Sequence, residues 1–150
     1  MRIVTLCILS LCITLNGFPF SAGFSKRSSC PTSCRKYDEF ALLSYDREKL
    51  RLDEYANQLK EESGVVAVVI VQPGGTLPFK KAQARARRTI DYLVNKRGVD
   101  PGRVGVVTLK KAQQEFSMEL WLCPFFAAQE LLGMYEGRVI TGKEIKKNPH

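Results

Sequence analysis

Between Phe79 and Arg97 the chain places seven basic residues, Lys80, Lys81, Arg85, Arg87, Arg88, Lys96 and Arg97, against one acid, Asp91. A planar guanidinium grips a carboxylate through two parallel hydrogen bonds, and an ammonium adds a compact charge beside it. Such a cluster suits a carboxylate-rich peptide or an anionic polymer. The bland alternative is a solvated helix face. Other chemistry is sparse. The one histidine, His150, stands last, which removes Ser-His-Asp and Cys-His pairs and most histidine-ligated metal sites. Asp38, Glu39 and Glu119 offer carboxylates, but nothing in their spacing brings two together for glycoside hydrolysis. Pro73-Gly74-Gly75 lacks the spacing of a phosphate-binding loop and reads as a turn. Trp121 beside Glu119 reads either as a sugar platform or, more simply, as a ring packed under the apolar tail. No enzyme activity, metal or cofactor is expected.

The elements that must position these residues follow from periodicity. Lys36 to Leu43 reads as a first strand. A helix opens at Asp46, a candidate N-cap, and buries Leu52, Tyr55, Ala56 and Leu59 at helical spacing; Ser63-Gly64 is expected to end it with a left-handed cap. Val65 to Val71 is a continuous apolar run, which predicts a strand covered on both faces. The basic helix spans about Phe79 to Lys96, with Phe79, Ala82, Ala86, Ile90 and Leu93 as its buried stripe. After the turn cluster Gly98–Gly102, Val104 to Leu109 reads as a further buried strand. Phe116 to Cys123 alternates, with Met118, Leu120 and Leu122 on one face, and is expected to pair antiparallel with its predecessor. The order β-α-β-α-β-β predicts an α+β fold, a two-layer sandwich of a mixed four-stranded sheet with both helices on one face. The domain is expected over residues 36–123. Residues 124–150 form a tail that includes a short docked helix and ends in a loose basic stretch from Lys143.

The N-terminus sets the expected compartment. Met1-Arg2, an apolar stretch from Ile3 to Leu15 and the small-residue exit Ser21-Ala22-Gly23 form the pattern of a secretory signal peptide over residues 1–23, followed by a linker over 24–35. Removing it takes the net charge from +8 to +7 through loss of Arg2, and no later stretch is apolar enough to span a bilayer. The chain is expected to be secreted or periplasmic. Cys30, Cys34 and Cys123 then remain, an odd number in an oxidising compartment. Either Cys30–Cys34 closes a local loop, or one of them reaches Cys123. Three residues between Cys30 and Cys34 do not suit a redox pair, so structural thiols are the simpler reading.

Arg85-Ala86, Ile90, Tyr92-Leu93 and Gly98-Val99 fall at the places of a motif in the OmpA-like C-terminal domain family, which this region, over residues 36–123, resembles. The resemblance implies a non-catalytic domain that binds peptidoglycan. Its site clamps a diaminopimelate residue between a loop Asp, which takes the ammonium, and the Arg of the Arg-Ala pair, which takes the carboxylate. Arg85 stands at that place, with Arg88 and Lys81 as neighbours. The loop Gln72–Pro78 carries no Asp, Lys81-Ala82 falls where the family has Leu-Ser, and the last strand lacks the family's paired arginines. Two functions follow. One is an envelope-binding module for peptidoglycan or another anionic polymer, with no specific nucleic-acid partner. The other is a degenerate domain serving protein interaction or structure. The run Met118–Leu122 with Tyr92–Asn95 also resembles uncharacterised secreted bacterial proteins of this fold.

Overall fold

The computed structural model describes residues 33–147, so the signal-peptide region, most of the linker and Cys30 lie outside the described residues. Five strands form one mixed sheet: β1 (Arg35–Phe40), β2 (Val65–Gln72), β3 (Val104–Leu109), β4 (Ser117–Pro124) and β5 (Gly137–Thr141). Its spatial order is β1-β4-β2-β3-β5. β2 and β3 run parallel, and β4 runs antiparallel to both β1 and β2. β4 therefore does not pair with its predecessor as the sequence suggests. It inserts between β1 and β2, and β5 takes the free edge of β3, with Val106 opposite Ile140. The fold is α+β, with five strands where four were expected.

Helix α1 (Tyr45–Glu61) joins β1 to β2, and α2 (Phe79–Asp91) joins β2 to β3. Both pack on one face. Their stripes, Leu52, Tyr55, Ala56 and Leu59 from α1 and Ala82, Ala86, Ile90 and Leu93 from α2 and the turn after it, meet Ala67, Val69, Val71, Met118, Leu120 and Leu122 of the sheet. Alternating strand residues supply that face because successive side chains point to opposite sides. Tyr55 is fully buried, and its hydroxyl donates to the Trp121 carbonyl at 2.6 Å. That bond satisfies the phenol, and burial pushes its pKa up.

The helix ends differ in detail from expectation. Ser44, not Asp46, is the α1 N-cap, without a side-chain cap bond, and Glu62 is the C-cap. Gly64 is not in a left-handed conformation. The end of α1 is held from outside instead. The Arg103 guanidinium donates to the carbonyls of Leu59, Glu62 and Val65 at 2.6–2.9 Å, binding the orphan acceptors of a helix terminus. α2 runs on from Asp91 into one π-helical turn, Tyr92–Lys96, and Gly98 at φ 69° lets the chain reverse.

The segment after β4 is folded. Helix α3 (Phe125–Met134) lies on the opposite face of the sheet, where Ala128 and Leu131 pack against Val66, Val68, Ile70, Val107, Trp121 and Cys123. The molecule thus has three layers rather than two. The odd-numbered face of β4 needed this cover because Trp121 and Cys123 are apolar there. α4 (Gly142–Lys147) follows β5, so the basic stretch from Lys143 starts in a helix. Cys34 and Cys123 form a disulfide that ties the entry of β1 to the end of β4. Of the two pairings left open by the sequence, the structure has the long-range one.

Candidate anion-binding site

The site begins with a charge on a buried face. Glu48 lies four residues before Leu52, so it continues the apolar stripe of α1 and is driven into the interface with α2. It is 0% exposed. A carboxylate so placed needs a partner, since removing it from water unpaired is strongly unfavourable. Arg85, 9% exposed on the facing side of α2, supplies it, with its Nη2 against Glu48 Oε2. Arg88 Nη2 approaches the same oxygen at 3.5 Å. The Thr89 hydroxyl lies 3.2 Å from Glu48 Oε1 and 3.1 Å from the Arg85 carbonyl, between the two.

The rest of Arg85 is also engaged. Its Nη2 donates to the Leu43 carbonyl at 2.8 Å, and its guanidinium carbon stands 5.3 Å from the Phe116 ring centroid. Two atoms stay without an aligned hydrogen bond, Glu48 Oε2 and Arg85 Nε. Oε2 is therefore held by charge rather than by directed donors, although both guanidinium groups are close.

Beside this buried pair opens a pocket of about 250 Å³ lined by Leu77, Lys81, Ala84, Arg85 and Arg88. The three basic residues singled out by the sequence therefore meet at one place. Lys81 is exposed, Arg88 is 44% exposed, and Arg85 forms the floor. Arg88 also lies over the Tyr45 ring at 4.4 Å, with Lys49 Nζ on that ring at 4.1 Å, so the aromatic steadies two cations. Among the described residues no acid lines the pocket, and the buried Glu48 stands behind it, against Arg85 and Arg88. The arrangement can hold an anionic group against Lys81 and Arg88. It gives no second carboxylate for an ammonium, and Arg85 is not open to a two-pronged grip on a ligand.

Other sequence candidates sort by position. Pro73-Gly74-Gly75 is a turn closed by Gly74 and Leu77, whose amides donate to each other's carbonyls at 3.0–3.2 Å, and Gly75 adopts φ 55°. The Gly74 amide is thus occupied. Trp121 is 8% exposed beneath α3, and its Nε1 donates to Glu119 Oε2 at 2.8 Å. It offers no platform. Arg97 pairs with Asp53 of α1, which also accepts from the Tyr92 hydroxyl. Among the described residues no three His, Cys, Asp or Glu side chains gather to hold a metal, and no helix is long and apolar enough to cross a membrane.

Glu48 is the residue that sequence reasoning missed. The signal was present, because its spacing from Leu52 and Tyr55 puts it on the buried stripe, and a buried acid implies a buried base. Neither a family model nor a curated protein matches this chain.

Proposed function

We propose that the protein is a non-catalytic envelope-binding module, secreted or periplasmic, that holds an anionic group of peptidoglycan or a comparable polymer in the pocket of Lys81, Arg85 and Arg88. The observation that carries this reading is the convergence of those three cations on one acid-free pocket. The strand and helix order over residues 35–124, β-α-β-α-β-β, supports the resemblance to the OmpA-like domain. In this reading Lys81 and Arg88 contact the ligand. Arg85 is a positioning residue whose charge is largely answered by Glu48. The grip is then weaker and less selective than a clamp on a zwitterion, because no loop acid is present to take an ammonium.

The Arg85–Glu48 pair also favours a second reading, a degenerate OmpA-like domain with an interaction or structural role. There the guanidinium that would take a ligand carboxylate has become a core tie. Co-sedimentation of the purified protein with peptidoglycan separates the two. The binding module pellets, and Lys81→Glu with Arg88→Glu releases it. The degenerate domain stays in the supernatant at low salt.

A further inference from the structure

Helix α1 brings a carboxylate to the basic pocket from inside the protein. Glu48 meets Arg85 and Arg88 from behind, as a ligand carboxylate would meet them from the solvent side. Its two oxygens are held unequally. The Thr89 hydroxyl lies 3.2 Å from Oε1, whereas Oε2, which both guanidinium groups approach, has no aligned hydrogen bond. Arg85 is committed on the same side. Its Nη2 serves Glu48 and the Leu43 carbonyl, while its Nε has no partner, although this side chain, only 9% exposed, lines the pocket.

Arg88 is the shared member. Its Nη2 stands 3.5 Å from Glu48 Oε2, beyond ordinary hydrogen-bond length, and its side chain is 44% exposed against the Tyr45 ring. It can face Glu48 or an anion in the pocket, and what it gives to one it withholds from the other. Lys81 is exposed and makes no ion pair among the described residues. The exposed acids close by in sequence are engaged elsewhere: Asp91 accepts from the Asn95 amide at 2.7 Å, and Asp46 lies 3.3 Å from Lys49. The ion pairs of Arg85 and Arg88 both run to Glu48.

We propose that Glu48 is a built-in competitor that keeps the pocket in a low-affinity state for anions, by cancelling the charge of Arg85 and engaging Arg88. This rests on the reading of the pocket as an anion site, and it concerns the strength of that site rather than the polymer it meets. Titration of the purified full chain with inorganic phosphate at constant ionic strength, followed through the arginine Nε–H signals by NMR, tests it. Wild type should bind phosphate weakly at Arg85 and Arg88. Glu48→Gln should bind it about tenfold more tightly, the effect of one charge removed at about 8 Å through an effective dielectric of about 30. By linkage, phosphate should raise the urea midpoint of Glu48→Gln more than that of wild type, because the bound anion replaces the lost partner of Arg85. The Glu48→Leu, Arg85→Met protein loses one cation together with the competitor, and it decides the matter where Glu48→Gln does not fold. Its phosphate affinity, read at Arg88, should stay within about threefold of wild type, since the two lost charges offset each other.

Equal or weaker phosphate affinity in a folded Glu48→Gln protein would overturn the proposal. So would a loss of about tenfold in the double variant, which would make Arg85 a ligand contact that Glu48 does not withhold. Pelleting with peptidoglycan answers separately. A wild type that binds phosphate here but stays in the supernatant loses the envelope function and keeps the role of Glu48. A wild type that pellets, with Glu48→Gln no tighter for phosphate, keeps the function and loses that role.

Discussion

Replacing Arg85 by alanine removes the main partner of a fully buried carboxylate. Breaking a buried ion pair from one side costs about 3–5 kcal/mol, most of it from the charge left behind. Arg88 still approaches Glu48 Oε2 at 3.5 Å, so the lower end of that range, about 3 kcal/mol, applies. With a urea m-value of about 1.5 kcal/mol/M, the unfolding midpoint should fall by about 2 M. Glu48→Gln keeps the shape and the Thr89 contact but strands the Arg85 charge, and should cost a similar amount. The double variant Glu48→Leu with Arg85→Met replaces both charges by apolar groups of comparable volume. Its loss should be well under the sum of the losses of Glu48→Leu and Arg85→Met made singly, with a coupling of about 1.5 kcal/mol or more. Urea denaturation followed by far-ultraviolet circular dichroism measures wild type and these variants. An Arg85→Ala variant within 1 kcal/mol of wild type, or single losses that simply add, would refute the reading of Arg85 as a core tie.

Three further outcomes follow from other contacts. The Cys34–Cys123 bridge spans 89 residues, so Cys34→Ser with Cys123→Ser should lower stability by about 2–4 kcal/mol, read as a drop in the urea midpoint that reductant reproduces in wild type. Arg103→Ala leaves the carbonyls of Leu59, Glu62 and Val65 without their charged donor and should cost about 2 kcal/mol; Arg103→Lys, lacking the forked geometry, should recover less than half of it. The hydrogen bond to Asp53 raises the Tyr92 pKa above its ordinary 10.0, with burial adding to the shift. The folded state then holds that proton more tightly than the unfolded state. This contribution is present below about pH 10 and is lost as pH rises through the folded value, so Tyr92→Phe should flatten the alkaline limb of a stability–pH profile.

Much of the fold was readable because the core elements carry one clear period each. Val65–Val71 is apolar at every position and became the central strand β2, buried on both faces. The alternation of Met118, Leu120 and Leu122 gave the inward face of β4, but period alone says nothing of which strand lies beside it. Its place between β1 and β2 is a long-range outcome. β5 was hidden because Gly137–Thr141 is short, with one buried residue, Ile140. α3 was hard to place because it is apolar on much of its surface, leaving Phe125 and Phe126 exposed, and it lacks a polar side to orient it.

At the site, the basic residues were legible as a cluster on one helix, and the convergence of Lys81, Arg85 and Arg88 follows from helical spacing. What separated Arg85 from its neighbours was not local. Arg85 stands beside Ala86 on the buried flank of α2, and its exposure depended on which residue of α1 faced it. Fewer of the helix's cations are available to a ligand than its seven basic residues suggest. Glu48 and Asp53, both on α1, take Arg85, part of Arg88, and Arg97.

In the proposed function, Lys81 and Arg88 hold an anionic envelope polymer beside the Arg85–Glu48 pair. Co-sedimentation with purified peptidoglycan at low and high salt tests it most directly, comparing wild type with the Lys81→Glu, Arg88→Glu variant. Wild type should pellet at low salt and release as salt screens the contacts, while the folded variant should remain in solution. Equal pelleting of the two proteins, or none by wild type at low salt, would contradict that function.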